Sequence, residues 1–445
     1  MSCCLTSKAK SVIVALSPLY RLTRNSEPML QNIASGDIVN LMAHERTRQV
    51  IELYQKLAAY SPIVGIFGHR QVGKTTLACQ LSKHYVTFDD KATRQLAEGD
   101  PALFIKERAK KGKTLVIDEC QMVPDIFPAL KEFVRTHKEP GQFLLTGSVR
   151  FTSGKAVQES LAGRIATIEL LPMVLSELEN RPLSNSLGSL MDCSQFNEQT
   201  RSFFLPLSEQ RKTVQHLDKY LENGGLPGTC FLRNTRLRNE AVNSILRVIL
   251  DRDLRTVIGS RLSFETLLGF LSHIAKLGFR PYQAAAVSTE LGLSPKTQKS
   301  LLFALESIFL IRRISQEGKK GFLTVMEDQF EERLLSETVH PRNTQMLGAF
   351  YRNARAQFQY RLGHPTRWTT FGLNTGATVP LVLHSEGKAL GFAMIDKSPT
   401  VSQSRSTNSF LRRYPQAKMV YLMPNFGETT VIDSRTLQCP IAAVL

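Results

Sequence analysis

The segment Gly68-His-Arg-Gln-Val-Gly-Lys-Thr75 constrains this chain more than any other, because few local structures need its residue types in that order. It follows the apolar run PIVGIF (62–67) and opens a stretch from Lys74 to His84 with helical spacing. A strand that breaks into glycine and restarts as a helix fits GxxxxGK[ST]. Glycine lets backbone N–H groups approach phosphate oxygens, and the helix N-terminus adds positive potential. The expected binding residues are Gly68, Gln71, Val72, Gly73, Lys74, Thr75 and Thr76. Lys74 would reach the β- and γ-phosphates of ATP, and Thr75 would hold Mg²⁺. An ordinary glycine-rich turn with a surface lysine is the competing reading.

A nucleotide site of this kind needs an acid at the end of a second apolar strand. LVIDE (115–119) supplies two: Asp118 for the metal shell and Glu119 to polarise an attacking water. Asp90 is the next candidate base. FLLTGS (143–148) offers Thr146 and Ser148 at another strand end as γ-phosphate sensors, and Arg164 in ESLAGR offers positive charge for the transition state. Arg164 also fits a plain surface salt bridge.

Around these motifs, apolar strands at 62–67, 85–88, 113–118, 141–148 and 164–170 alternate with helical stretches. That alternation predicts an α/β fold with a parallel sheet covered on both faces. The reading divides the chain into a tail at 1–45, a nucleotide-binding core at 46–180, and an insertion with a helical lid at 181–245. A helical region at 246–318 and a strand-rich domain at 319–445 complete it. The stretch NRPLSNSLGSLMDCSQFNEQT (180–200) reads as a polar loop.

The chain's charge points outward to partners. A net +17 over 445 residues suits a polyanion, with DNA the first partner class and an inert basic surface the alternative. Seven cysteines without zinc or disulfide spacing predict a reducing, cytoplasmic setting. No apolar run approaches the ~20 residues of a membrane span. The acid-free first residues fit either a transit peptide or an upstream extension ahead of a start at Met29.

GHRQVGKTT, YVTFDD, DECQMVPDIFPALK, FLLTGS and SLAGRIATIELLPMVLSE occur in that order. Together they resemble the prokaryotic AAA-type P-loop ATPases fused to a winged helix and a restriction-endonuclease-like C-terminal domain. YLENGGLP and VILDRDL match that family's middle region. The resemblance spans roughly residues 50–315. It implies a glutamate base beside the metal aspartate, a sensor at Thr146 or Ser148, and an arginine at Arg164. Gln121 and Pro124 match a hallmark of the family whose chemistry the sequence does not explain.

The C-terminal part departs from the family. Tyr351 and Arg352 stand where a helix acid is expected, Pro380 where a metal-binding Asp is expected, and Ile395 where a Glu precedes Lys397. Asp396 is adjacent, but one step along a strand reverses the side chain. A two-carboxylate metal site needs those acids, so the domain is expected to be a degenerate, inactive nuclease fold. Upstream, AVSTELGLSPKTQKSLLFAL (286–305) reads as a helix-turn-helix, with Ser294 as N-cap and Pro295 in the first turn. Lys296 and Lys299 would face outward, and Thr297 and Gln298 would reach base edges. The expected function is an ATPase whose nucleotide state controls DNA or protein engagement, with oligomerisation open. The alternative is a switch that binds ATP without hydrolysing it.

Overall fold

The computed structural model describes residues 46–150, 161, 163–361 and 366–445. The tail expected at 1–45 lies outside the described residues. Helix α1 (Val50–Ala58) leads into β1 (Ile63–Gly68), α2 (Lys74–Leu81), β2 (Tyr85–Thr87), α3 (Lys91–Gly99) and α4 (Pro101–Arg108). Strands β3 (Leu115–Asp118), β4 (Phe143–Gly147) and β5 (Ile165–Leu170) follow, with α5 (Ile126–Thr136) between β3 and β4. The five strands pair in parallel in the order β2-β3-β4-β1-β5. Alternate residues serve opposite cores: Val64, Ile66, Val116 and Leu144 face one side, Ile63, Phe67, Ile117 and Leu145 the other. A sheet buried on both faces needs the continuous apolar runs seen in these strands.

Beyond β5 the chain packs more tightly than its polarity suggests. Residues 180–200 are not a free loop: Leu187, Leu190, Met191 and Phe196 are buried in one core with Leu383, Leu390 and Val420 from the far end of the chain. Three apolar residues at 187, 190 and 191 make one helical face, short enough to be masked by the surrounding Asn and Ser. Helix α6 is Leu207–Asn223. Helix α7 (Thr235–Val248) then passes through a π-helical turn, Ile249–Asp253, and continues to Ile258. A boundary at 245 therefore falls inside one continuous helix.

Helices α8 (Phe264–Leu277), α9 (Ala284–Leu291) and α10 (Pro295–Ser307) are followed by a hairpin of β6 (Ile311–Glu317) and β7 (Phe322–Met326). Ser294 caps α10 by accepting from the Thr297 N–H at 3.2 Å. Gln298 is not at a base-reading position. It is 1% exposed and ties the turn together, donating to Ala284 O, Ser288 Oγ and Leu293 O and accepting from Tyr282 Oη. A buried amide with this many partners is a clip between helices.

The hairpin is not free either. Strand β6 also pairs with β8 (Thr366–Gly372) through Ser315–Thr369, Gln316–Thr370 and Glu317–Phe371. It thereby joins an eight-stranded sheet ordered β12-β13-β11-β10-β9-β8-β6-β7. Helices α11 (Gln329–Ser336) and α12 (Arg342–Gln359) precede β8, and β9 (Thr378–Ser385), β10 (Lys388–Met394), α13 (Val401–Arg413) and β11 (Ala417–Met423) follow it. β8, β9 and β10 are antiparallel and β10 and β11 parallel; β12 (Thr430–Asp433) and β13 (Thr436–Pro440) close the edge. Pro380 sits in β9 beside the register shift between Thr369 and Phe371 of β8. Its missing N–H is tolerated there because the ladder is already interrupted.

Candidate nucleotide site

In a parallel sheet, loops at the carboxyl ends of the strands converge on one edge. Gly68 ends β1, Asp118 ends β3 and Gly147 ends β4, so those three loops share that edge. Gly68 has no alternative: a Cβ there would meet the Leu170 carbonyl oxygen at 2.5 Å. Gln71 at φ 65° and Gly73 at φ 95° turn the loop's backbone inward, a curvature that gathers N–H groups around an anion. Val72 contributes backbone only, since its side chain is buried in the core. Thr75 and Thr76 are exposed on the first turn of α2.

Lys74 is 5% exposed, and its ammonium donates to Gly68 O at 3.0 Å and His69 O at 2.9 Å. Burial pulls its pKa down, and the Glu119 and Asp118 carboxylates oppose that pull. Thr75 Oγ1 donates to Asp118 Oδ2 at 2.8 Å, Tyr85 Oη donates to the same oxygen at 2.7 Å, and Thr146 Oγ1 donates to Oδ1. These hard oxygens beside a buried ammonium suit Mg²⁺ with a triphosphate, Thr75 and Asp118 being the metal-side groups. Thr146 is fully buried and its hydroxyl orients Asp118, while Ser148, also buried, follows directly after β4.

Glu119 stands in a left-handed conformation at φ 54°, which non-glycine residues hold only when the surroundings impose it. Gln121 supplies part of that: its Nε2 donates to Glu119 Oε2 at 2.5 Å and to Ser148 Oγ at 3.3 Å. The hallmark glutamine thus bridges the acidic pair to the sensor strand. Gly147 makes room for it, since a Cβ there would lie 2.4 Å from Gln121 Oε1. Burial raises the Glu119 pKa above the usual carboxylate range, and the nearby Lys74 ammonium offsets only part of this.

Two expected residues are elsewhere. Arg164 precedes β5, whose Ile165 pairs with Ile63 at the start of β1, whereas Leu170 pairs with Gly68. At the strand rise this sets Arg164 about 20 Å from the phosphate loop, on the sheet's opposite edge. It lies near Glu132 instead and serves no phosphate in its own chain's site. Asp90 caps α3, accepting from the Thr93 N–H at 2.8 Å, so it is not a spare base.

Other residues reach the loop from segments the motif does not include. Arg48 donates to Val72 O at 2.8 Å and Leu171 O at 2.6 Å and pairs with Glu177 at 3.1 Å. From the π-helical turn, Asp253 pairs with Arg70 of the loop at 3.1 Å and with Arg252 at 2.9 Å. Asp253, and after it Asp89 and Glu119, hold the Arg252 pKa up against burial. The run LDRDL (250–254) was the available sequence signal, without a partner to interpret it.

Residues 60–179 match the model of a family described as an AAA domain, and residues 214–326 match a domain of unknown function. Two uncharacterized proteins, from Mycobacterium bovis and Mycobacterium tuberculosis, are each 24% identical over 419 residues, covering 89% of this chain and 85% of theirs. Among solved structures, the Walker-type ATPase of Pyrococcus abyssi aligns at 14% identity with a TM-score of 0.33, over 64% of this chain and 94% of its own. The parallel-sheet core of this chain resembles that of the P-loop ATPases, with residues 60–179 as its AAA-type segment.

Proposed function

We propose that the chain binds MgATP at the loop 68–76 and hydrolyses it, and that the nucleotide state sets how its C-terminal modules engage DNA. The observation that carries this is the convergence of Lys74, Thr75, Asp118 and Glu119 at one sheet edge, with Glu119 held at positive φ by Gln121. Lys74 neutralises the γ-phosphate, Thr75 and Asp118 face the metal, and Glu119 accepts a proton from the attacking water. Mg²⁺, which Thr75 and Asp118 would hold, would supply charge neutralisation for the triphosphate. With Arg164 on the far edge, Arg252, whose charge the Asp89 and Glu119 carboxylates support, is our candidate for a cation that approaches the transferred group. Steady-state phosphate release with and without Mg²⁺ tests the reading, and nucleotide binding without release would leave the switch alternative.

Arg252→Ala should lower kcat by about tenfold or more while changing ATP affinity less, because charge stabilisation grows toward the transition state. Equal losses in kcat and affinity would reduce Arg252 to a ground-state contact.

The DNA reading is supported by the distribution of charge. Residues 397–427 contain no acid, and Arg405, Arg412 and Arg413 are exposed on α13. The order α12, β8, β9, β10, α13, β11 is consistent with a nuclease-derived fold, while Pro380 and Ile395 occupy two expected acid positions. Among the described residues no three His, Cys, Asp or Glu side chains cluster as a metal site. Duplex DNA should be retained at low salt, and removing one arginine that touches a phosphate should flatten the log–log salt slope by roughly one. Arg405→Ala with Arg412→Ala is the test pair. A slope left unchanged removes α13 from the interface, and metal-dependent nicking abolished by Lys397→Ala would reveal a working nuclease centre.

A further inference from the structure

The second residue of the phosphate loop carries a contact that nucleotide chemistry does not require. His69 is 1% exposed, and its Nε2 lies 3.2 Å from Oε2 of Glu331, which is fully buried on the first turn of α11. The two residues are 262 positions apart in the chain and belong to different modules. Among the described residues neither Glu331 oxygen, nor His69 Nε2, makes a hydrogen bond of good geometry, which leaves their ion-pair approach as the polar contact between them. Each of these buried polar groups therefore depends on the other.

The proton count in this pair follows from geometry. His69 Nδ1 lies 2.5 Å from the Arg70 carbonyl oxygen, which can only accept. Nδ1 must therefore carry a hydrogen. Were Nε2 bare, its lone pair would face a carboxylate, so a second proton resides on the pair, on Nε2 or on Glu331. Burial draws the His69 pKa down, but the Glu331 carboxylate, with Asp328 beyond it, raises it overall.

Helix α11 touches the nucleotide site at a second place. Its N-cap, Asp328, accepts from the Gly225 N–H at 2.7 Å. Gly224 cannot carry a side chain there, because a Cβ would lie 2.4 Å from Asp328 Oδ1. The same loop continues to Pro227 and Gly228, which lie against Gly73 and Gln71 of the phosphate loop. On its other side α11 is tied to the C-terminal sheet: Glu332 pairs with Arg352 of α12. The preceding Glu327 pairs with Arg355 at 2.6 Å and with Arg312 of β6 at 3.0 Å. Both arginines also reach Glu169 of β5, which Arg150, two residues beyond the sensor Ser148, holds at 2.7 Å.

We propose that Glu331 is a positioning residue for the nucleotide site: through His69 it holds the phosphate loop in its anion-ready shape and passes the loop's state to the C-terminal sheet. The proposal rests on the nucleotide reading above. Lys74 donates to the carbonyls of Gly68 and His69, and a γ-phosphate must draw that ammonium away. When it leaves, the His69 carbonyl gives up its charged donor and keeps the Val72 N–H at 3.3 Å, while the His69 ring stays bound to α11. Any shift of the loop that follows the ammonium is then delivered to α11 through that ring. Glu331 touches neither nucleotide nor metal, so its effect falls on affinity and on communication.

The test uses the full chain and calorimetric titration with MgATP. Glu331→Ala should weaken binding about tenfold, within the range of ordinary coupling between sites. Glu331→Gln should restore most of it, because a Gln amide can donate to the bare Nε2 of a neutral His69 and needs no second proton. His69→Ala combined with Glu331→Ala should be no weaker than the worse single variant. In wild type, hydrogen exchange across 326–336 should change when MgATP saturates the site. Wild-type affinity in Glu331→Ala, or additive losses in the double variant, would overturn the positioning role while leaving the nucleotide reading intact. If Glu331→Ala fails to fold, wild-type exchange across 326–336 that ignores saturating MgATP would overturn the proposal by itself. Wild type that binds no MgATP at all removes the nucleotide reading, and this proposal with it.

Discussion

Glu119→Gln is expected to bind MgATP with near wild-type affinity and to turn it over about 10²–10⁴-fold more slowly, the range ascribed to a positioned general base. The amide keeps the shape of the side chain and the contact with Gln121, whose Nε2 donates to Glu119 Oε2. It cannot accept a proton from water. Single-turnover measurement with saturating nucleotide separates this loss from product release. The pH profile gives an independent reading of the same group. Burial raises the Glu119 pKa, so the basic form is populated only at higher pH than for a solvated carboxylate. Activity should be present above that raised pKa and fall as pH drops through it, with the acid limb above that of a solvated carboxylate. Unchanged turnover in the variant would assign the proton to another acceptor.

The second large effect is on binding. Lys74→Ala removes a charge-assisted contact worth ~1.5–3 kcal/mol, so the MgATP dissociation constant should rise by roughly ten- to 150-fold. The real cost includes the cavity left by a side chain that is 5% exposed and tied to two carbonyls. Lys74→Arg makes a useful comparison because it keeps the charge but not the shape. Calorimetry on Lys74→Ala that returns the wild-type constant would end the phosphate-loop reading.

The sequence was most readable where local chemistry and local structure agree. Gly68, Gly73 and Lys74 sit on a strand–loop–helix, and spacing alone located that turn. Asp118 was legible at the end of β3 because the glycine-rich loop upstream gave an acid there a use beyond a solvated turn. Arg164 was misplaced because its position depends on which end of β5 it occupies, and a motif does not state an edge. Gln298 misled for a related reason: a polar residue on a predicted recognition helix reads as outward until its partners on α9 are known. Asp253 and Glu331 were invisible as neighbours of the phosphate loop, since each meets it across roughly 180 to 260 residues of chain. The burial of Leu187, Leu190 and Met191 was hidden in the same way, because the core they fill is completed by strands from beyond residue 380.

The pairing of β6 with both β7 and β8 has a practical consequence for anyone dissecting the chain. A cut near residue 318 would respect the change in sequence character but would strip β6 of both its neighbours, β7 and β8. The N-terminal fragment would then present an unpaired ladder, the geometry that recruits strands from other molecules. Its segment 187–196 would be stripped of the apolar surface it packs on as well. Fragments made at that position would therefore report on self-association before they report on nucleotide chemistry. Point substitution in the intact chain is the sound route to assigning roles to its parts.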